Sequence, residues 1–313
     1  MSIRLFAATL AALFLGGCVH VDFGQSDRYT EDFHHVFPLQ AGAHVSVESH
    51  NGSIDVVGWD KDEAEVSGTK SASSESLLAS VKIDIHNTPT SLELRAVKPT
   101  LQMGSTGARF TLHVPHSALV DRLETSNAQV HVRDVAAAAH LKSSNGSIRV
   151  ENVQGDVDAR TSNSSIEVDG VGGEAQLHST NGRISVDHVA KRLDAETSNS
   201  SIKARLDGNA PVRAGSSNGS IDLGFSAPPK ADVRASTSNS SITVHLPANA
   251  AVRLEAGTSN SSVSSDFEVV GALNVDESRR KNHLNGVIGG GGPLVELTSS
   301  NGHIRIAKGA GID

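Results

Sequence analysis

The chain carries 35 carboxylates, and two of them placed across one bond would make a glycoside hydrolase. Asp156, Asp158, Glu167 and Asp169 qualify by type, yet Arg149, Arg160 and Lys203 alternate with them, as on a solvated sheet face. A hydrolase also needs a cleft, and no Phe, Tyr or Trp lies between Thr111 and Gly224 to wall one. The 15 His residues raise metal chemistry. None recurs at i, i+2 or clusters with carboxylates; stacked strands could still bring His178 or His188 near other side chains. Gly289 to Gly292 has the composition of a phosphate loop but lacks Gly-Lys-Ser/Thr and a following helix, so it reads as a turn. A single Cys excludes an intrachain disulfide framework and a Cys-based zinc cage. The expectation is a protein that is not an enzyme, with no catalytic, cofactor-binding or metal residue.

The most regular polar residue is Asn. Asn127, Asn145, Asn163, Asn181 and Asn199 are each 18 residues apart, and Asn218, Asn239 and Asn260 follow after gaps of 19, 21 and 21. Asn tolerates the left-handed and bridge conformations of a tight turn. Repeated on every level, its amide can also bond to its copies above and below as a structural ladder. Seven Asn (51, 145, 163, 199, 218, 239 and 260) sit in Asn-x-Ser sequons. The turn accounts for them before glycosylation or a ligand row is needed.

Cys18 is the other residue with chemistry of its own. Arg4 precedes an apolar run from Leu5 to Gly17, too short to span a bilayer as a helix. The run ends Leu15-Gly16-Gly17-Cys18, which resembles a bacterial lipoprotein signal. That resemblance implies a signal peptide over 1–17, acylation of Cys18 and attachment to the membrane; several acyl chains give stable anchoring where one is marginal. Val19 after the Cys implies outer-membrane sorting in a Gram-negative cell. Residues 18–36 look polar and aperiodic and read as a tether.

These residues require elements to position them, and the elements are strands. Three positions after each Asn stand Val130, Ile148, Ile166, Ile184, Ile202, Ile221, Ile242 and Val263, all β-branched. Four before it stand Leu123, Leu141, Ala159, Leu177, Ala195, Ala214, Ala235 and Ala256, and two before it only Thr or Ser. Apolar and polar residues alternate with period two on both sides of the Asn, so each unit is two short strands joined at a turn. Such a pair cannot bury its apolar face alone, but stacked copies can. The expected fold is all-β: a parallel β-solenoid of 18–21-residue two-strand units. Asn145, Asn181 and Asn218 are followed by Gly, and Asn163, Asn199 and Asn239 by Ser-Ser, which leaves 18- and 36-residue coils both open. Residues 37–120, with the copy at Asn51 and a short helical stretch at Ser74–Ser80, read as an N-terminal β-rich cap. Residues 121–313 read as the repeats, closed by a Gly-rich segment and a final copy at Asn301.

Asn51-Gly-Ser-Ile-Asp-Val-Val-Gly-Trp-Asp, the Thr/Ser-Ser-Asn-Gly/Ser-x-Ile repeats and the terminal Gly-rich segment resemble the bacterial putative-adhesin family, a β-strand-repeat domain of unknown function. The resemblance covers about Phe37 to Ile306, implies a β-helical fold and brings no catalytic residues. A net charge of −8 gives no field that recruits nucleic acid. The reading is a non-catalytic, lipid-anchored cell-envelope protein that meets a protein or surface polymer. A structural or envelope-stress lipoprotein without external ligand is the alternative, and a polysaccharide-active enzyme ranks behind both.

Overall fold

The structure is a computed structural model that describes residues 29–97, 104–271 and 282–309. It contains two 13-stranded sheets whose buried columns form one hydrophobic cluster. Each repeat is a rung, with one strand in each sheet and the Asn at the turn between them. Val157–Thr161 lies in one sheet, Asn163 turns the chain, and Ile166–Val171 lies in the other. We call these the Leu/Ala sheet and the Ile sheet after their inward residues.

Strands of successive rungs pair in parallel and in register. Ile148, Ile166, Ile184 and Ile202 are mutual partners up the Ile sheet, and Leu141, Ala159, Leu177 and Ala195 up the other. One 18-residue unit therefore makes one coil, with the large Leu and small Ala side chains interleaved. Every Ile of that column is at most 1% exposed. Period-two alternation explains this directly, because a register slip of one residue would turn the whole column outward.

A second corner is set by backbone conformation. Asp134, Asn152 and His188 have φ of 57°, 50° and 58°, and Gly170 at the equivalent position has φ 80°. In the Ile-sheet strands this residue drops out of register before Val135, Val153, Val171 and Val189 return to the core. Asp, Asn, His and Gly are the residue types that enter the left-handed region most readily.

The copies do not all stack in chain order. The Asn51 rung (His44–Glu48 and Ile54–Trp59) sits between the Asn127 rung and the later coil Ser91–Val97 and Thr106–Pro115. At the far end, Leu294–Ser299 and Ile304–Lys308 enter between the Asn239 and Asn260 rungs. The final copy does not close the stack: the Asn301 rung is the last but one, with the Asn260 rung outside it. Antiparallel His283–Ile288 lies outside the Asn260 rung in the Leu/Ala sheet. Gly289–Gly292 then crosses back over Ala250 and Ala251, where a Cβ on Gly289 or Gly292 would overlap a backbone carbonyl oxygen. The glycine run is thus a crossing that needs bare backbone.

The N-terminal end departs from expectation as well. The stretch read as a tether to residue 36 is a strand, Tyr29–Pro38, from Tyr29 onward, antiparallel to Glu63–Ala72. Phe33 packs edge-on against Phe110 with centroids 5.8 Å apart and faces Gly68, while His35 stacks on Phe37. The short helix Glu75–Ser80 forms behind Ser74, whose side chain accepts the Leu77 N–H, and it buries Leu77 and Leu78. The signal segment, Cys18 and the first part of the tether lie outside the described residues.

Candidate functional site

The turn Asn form a continuous ladder. Each donates its Nδ2 to the Oδ1 of the copy below, from Asn127 on Asn51, through Asn145, Asn163, Asn181, Asn199, Asn218 and Asn239, at 2.5–2.8 Å. Asn301 donates to Asn239 and Asn260 to Asn301, both at 2.8 Å, so the intercalated copy keeps the ladder whole. All ten are exposed at one edge of the two sheets. Each of the eight inner side chains spends one donor and one acceptor on the ladder, which leaves a second N–H and a lone pair for other partners. Residues preceding the Asn are hydroxylic along nearly the whole row (Ser126, Ser144, Ser162, Thr180, Ser198, Ser217, Ser238, Ser259, Ser300). This edge is therefore a rank of amides and hydroxyls repeating at the strand spacing of about 4.8 Å.

Beneath the ladder runs a buried hydroxyl column with two alternating kinds of rung. In the glycine kind, Ser143, Ser179, Ser216 or Ser299 accepts the N–H of Gly146, Gly182, Gly219 or Gly302, each at 2.9 Å. Its Oγ donates to a carbonyl of the rung below. In the other kind, Thr125, Thr161, Thr197, Thr237 or Thr258 donates at 3.0–3.1 Å to the carbonyl of a glycine below: Gly52, Gly146, Gly182, Gly219 or Gly302. A Cβ on any of those glycines would overlap backbone of the neighbouring level. The Gly/Ser alternation of the sequence is a steric requirement of every second rung.

The outer sheet faces carry charge in pairs. Arg160 holds Asp158 bidentately at 2.9 and 3.0 Å, and Arg205 holds Asp187 at 2.6 and 3.2 Å. Arg149 binds Glu151 at 2.6 Å and reaches Glu167 at 3.6 Å. Asp156 accepts the Glu174 N–H. Asp156, Asp158 and Glu167 are three of the four carboxylates that the sequence offers for catalysis, and their contacts hold neighbouring side chains and rungs. A groove of about 470 Å³ on the Leu/Ala sheet is lined by Arg213, Arg234, Asp232 and Glu296 among others. Arg234 lies 3.1 Å from Glu296, and Arg213 lies 3.5 Å from Glu196.

Two imidazoles stand out. His131 lies between Asp55 (3.7 Å) and Glu151 (3.4 Å) with its side chain 20% exposed. Contact with Asp55 raises its pKa above the ordinary value against the opposing effect of burial, and contact with His131 lowers that of Asp55. His303 bonds Ser262 through Nδ1 and Ser264 through Nε2, both at 2.9 Å. Among the described residues no carboxylate orients that ring, as a nucleophilic triad would require; both bonds tie one rung to the next. Stacking brings His178 and His188 each near a carboxylate of the next rung, at 4.0 Å from Glu196 and 3.7 Å from Asp207 respectively. Among the described residues no three His, Cys, Asp or Glu side chains group to hold a metal, and no helix is long and apolar enough to cross a membrane.

Sequence reading located the Asn column and missed the His131 cluster. Asp55 and His131 are 76 positions apart, and only the placement of the Asn51 rung beside the Asn127 rung joins them.

No curated protein matches the chain. A solved structure described as a "putative cell adhesion protein" from Clostridium sporogenes ATCC 15579 aligns at 13% identity and a TM-score of 0.25, covering 90% of this chain and 100% of that one. A "putative adhesin" from Bacteroides fragilis NCTC 9343 aligns at 11% identity and a TM-score of 0.34, covering 90% and 98%. A family model, Toastrack DUF4097, matches residues 38–265, most of the chain and nearly all of its repeats. With its strand-turn-strand rungs stacked into two long sheets, this chain belongs to the Toastrack DUF4097 family.

Proposed function

We propose that this protein is a non-catalytic, adhesin-like interaction module of the cell envelope, held to the membrane through acylated Cys18. The observation that carries the reading is the uninterrupted amide ladder, ten rungs long and fixed by its own hydrogen bonds, with a Ser or Thr beside nine of its Asn. A rigid polar rank of this kind makes many weak contacts with a protein or surface polymer at little entropic cost, because its side chains are already ordered. The ion pairs on the sheet faces support the same reading, since Asp158, Asp187 and Glu296 are each held by an arginine of the molecule.

A deletion strain tests the proposal in an adhesion assay on cell and matrix surfaces. Loss of adhesion, restored by the wild-type gene but not by Cys18→Ser, is the expected result. Unchanged adhesion on deletion overturns the interaction reading. Retention of Cys18→Ser protein in the membrane fraction overturns the anchor. Turnover of any member of a polysaccharide panel by the purified protein would establish an enzyme instead.

A further inference from the structure

We propose that the space between the Asn239 and Asn260 rungs is a receiving site specific for a glycine-kind strand pair, and that the chain's own C-terminal segment, Leu294–Lys308, is its ligand. From Asn145 to Asn239 every rung stacks on its predecessor in the chain. Continuing that rule would lay the Asn260 rung on the Asn239 rung. Both are of the threonine kind: Thr237 with Ser240, and Thr258 with Ser261. A threonine-kind rung sends its hydroxyl to a glycine carbonyl below, as Thr258 does to Gly302 at 3.0 Å, and the Asn239 rung has no glycine there. Laid down in the other manner, it would press Ser261 onto the Ser240 carbonyl, where the Cβ of any residue in the place of Gly302 overlaps.

The C-terminal segment resolves both conflicts. Ser299 and Gly302 make it a glycine-kind rung, and in space the two kinds alternate without a break from Ser49 and Gly52 to Thr258 and Ser261. In the chain the alternation breaks once among the later copies, at Asn260, which is where the insertion occurs. Both walls of the site hold the segment by side chains. Arg234 and Asp232 of the Asn239 rung bond Glu296 (3.1 Å) and the Leu294 N–H (3.0 Å). Ser262 and Ser264 of the Asn260 rung bond His303. The bare glycine crossing lets the chain pass over the outer rung to reach the site.

Disulfide mapping in the full-length chain, in a Cys18→Ser background, tests the assignment. Arg234 and Glu296 are register partners, and Glu255 is the partner of Glu296 one level further. An R234C/E296C pair therefore spans one strand spacing, within disulfide reach, and R234C/E255C spans two, about 9.6 Å and beyond it. The natural chain should oxidise only the first pair. Exchanging the two kinds (T258S/S261G with S299T/G302S) should make the second pair oxidise and the first fail. A half exchange, S299T/G302S alone, sets three threonine-kind rungs in a row and should lower the melting temperature by about 5 °C or more, with the full exchange recovering at least half of the loss. The proposal is overturned if the exchanged chain still oxidises R234C/E296C. It is equally overturned if the full exchange is no more stable than the half exchange, a chain that fails to fold included.

Discussion

Asn181 receives a hydrogen bond from Asn199 and gives one to Asn163. Asn181→Ala removes both, and at about 0.5–1.5 kcal/mol net each it should destabilise the protein by about 1–3 kcal/mol in chemical denaturation. Gly182 makes a sharper case. Its absent side chain leaves room for the Ser164 carbonyl, so Gly182→Ala should cost about 1–3 kcal/mol, while Ser164→Ala one rung away should stay within about 0.5 kcal/mol of neutral. Equal effects would mean that the glycine is there for flexibility and not for close approach. His131 and Asp55 set a pH dependence of known sign. The raised His131 pKa contributes stability that is complete below the ordinary His value and lost as pH rises through the folded-state value. The lowered Asp55 pKa contributes stability present above the ordinary carboxyl value and lost as pH falls through the folded-state value. The stability difference between wild type and His131→Gln should therefore be largest between those limits and shrink on both sides. Thermal melts across pH, with an NMR titration of the His131 ring, measure it.

At the scale of the element, the strand needs only its alternation. Ile202 is fully buried and stacked between Ile184 and Ile221, so Ile202→Ala should cost about 2–5 kcal/mol through lost transfer energy and a cavity. Glu167 points outward on an equivalent strand, 3.6 Å from Arg149 and half-exposed, and Glu167→Ala should fall within about 0.5 kcal/mol of wild type. Comparable losses at the two positions would contradict the inward–outward assignment. Where elements were hard to read, mixed polarity was the cause. In Tyr29–Pro38 only Phe33 and Phe37 are partly buried, and the residue between them on that face, His35, is exposed; an imidazole in the middle breaks the apolar pattern although it stacks well on a ring. The left-handed corner at Asp134, Asn152, Gly170 and His188 was likewise hidden, because four different residue types share one backbone conformation.

For the whole molecule the two kinds of rung impose a unit of two. Deleting residues 155–190 removes one rung of each kind and joins the Asn145 rung to the Asn199 rung, glycine kind to threonine kind. Deleting 155–172 removes a single rung and sets the Asn145 and Asn181 rungs, both of the glycine kind, against each other. The 36-residue deletion should melt cooperatively near the wild-type temperature, and the 18-residue deletion clearly lower, although it removes less of the core. Circular dichroism melts decide between them; the reverse order would show that length alone matters.

Much of this was determined locally. The Asn spacing, the branched column three residues later and the Ser or Thr two residues before specify strand, turn and inward face from neighbours in the chain, because side-chain direction in a strand depends only on period two. The coil size, the neighbours of the first and last copies and the pairing of His131 with Asp55 were decided in three dimensions. Each depends on which rung lies against which, and any two copies offer nearly the same apolar surface to one another. Backbone clearance at alternate turns separates the permitted contact from the rest, and that clearance exists only once the rungs are stacked.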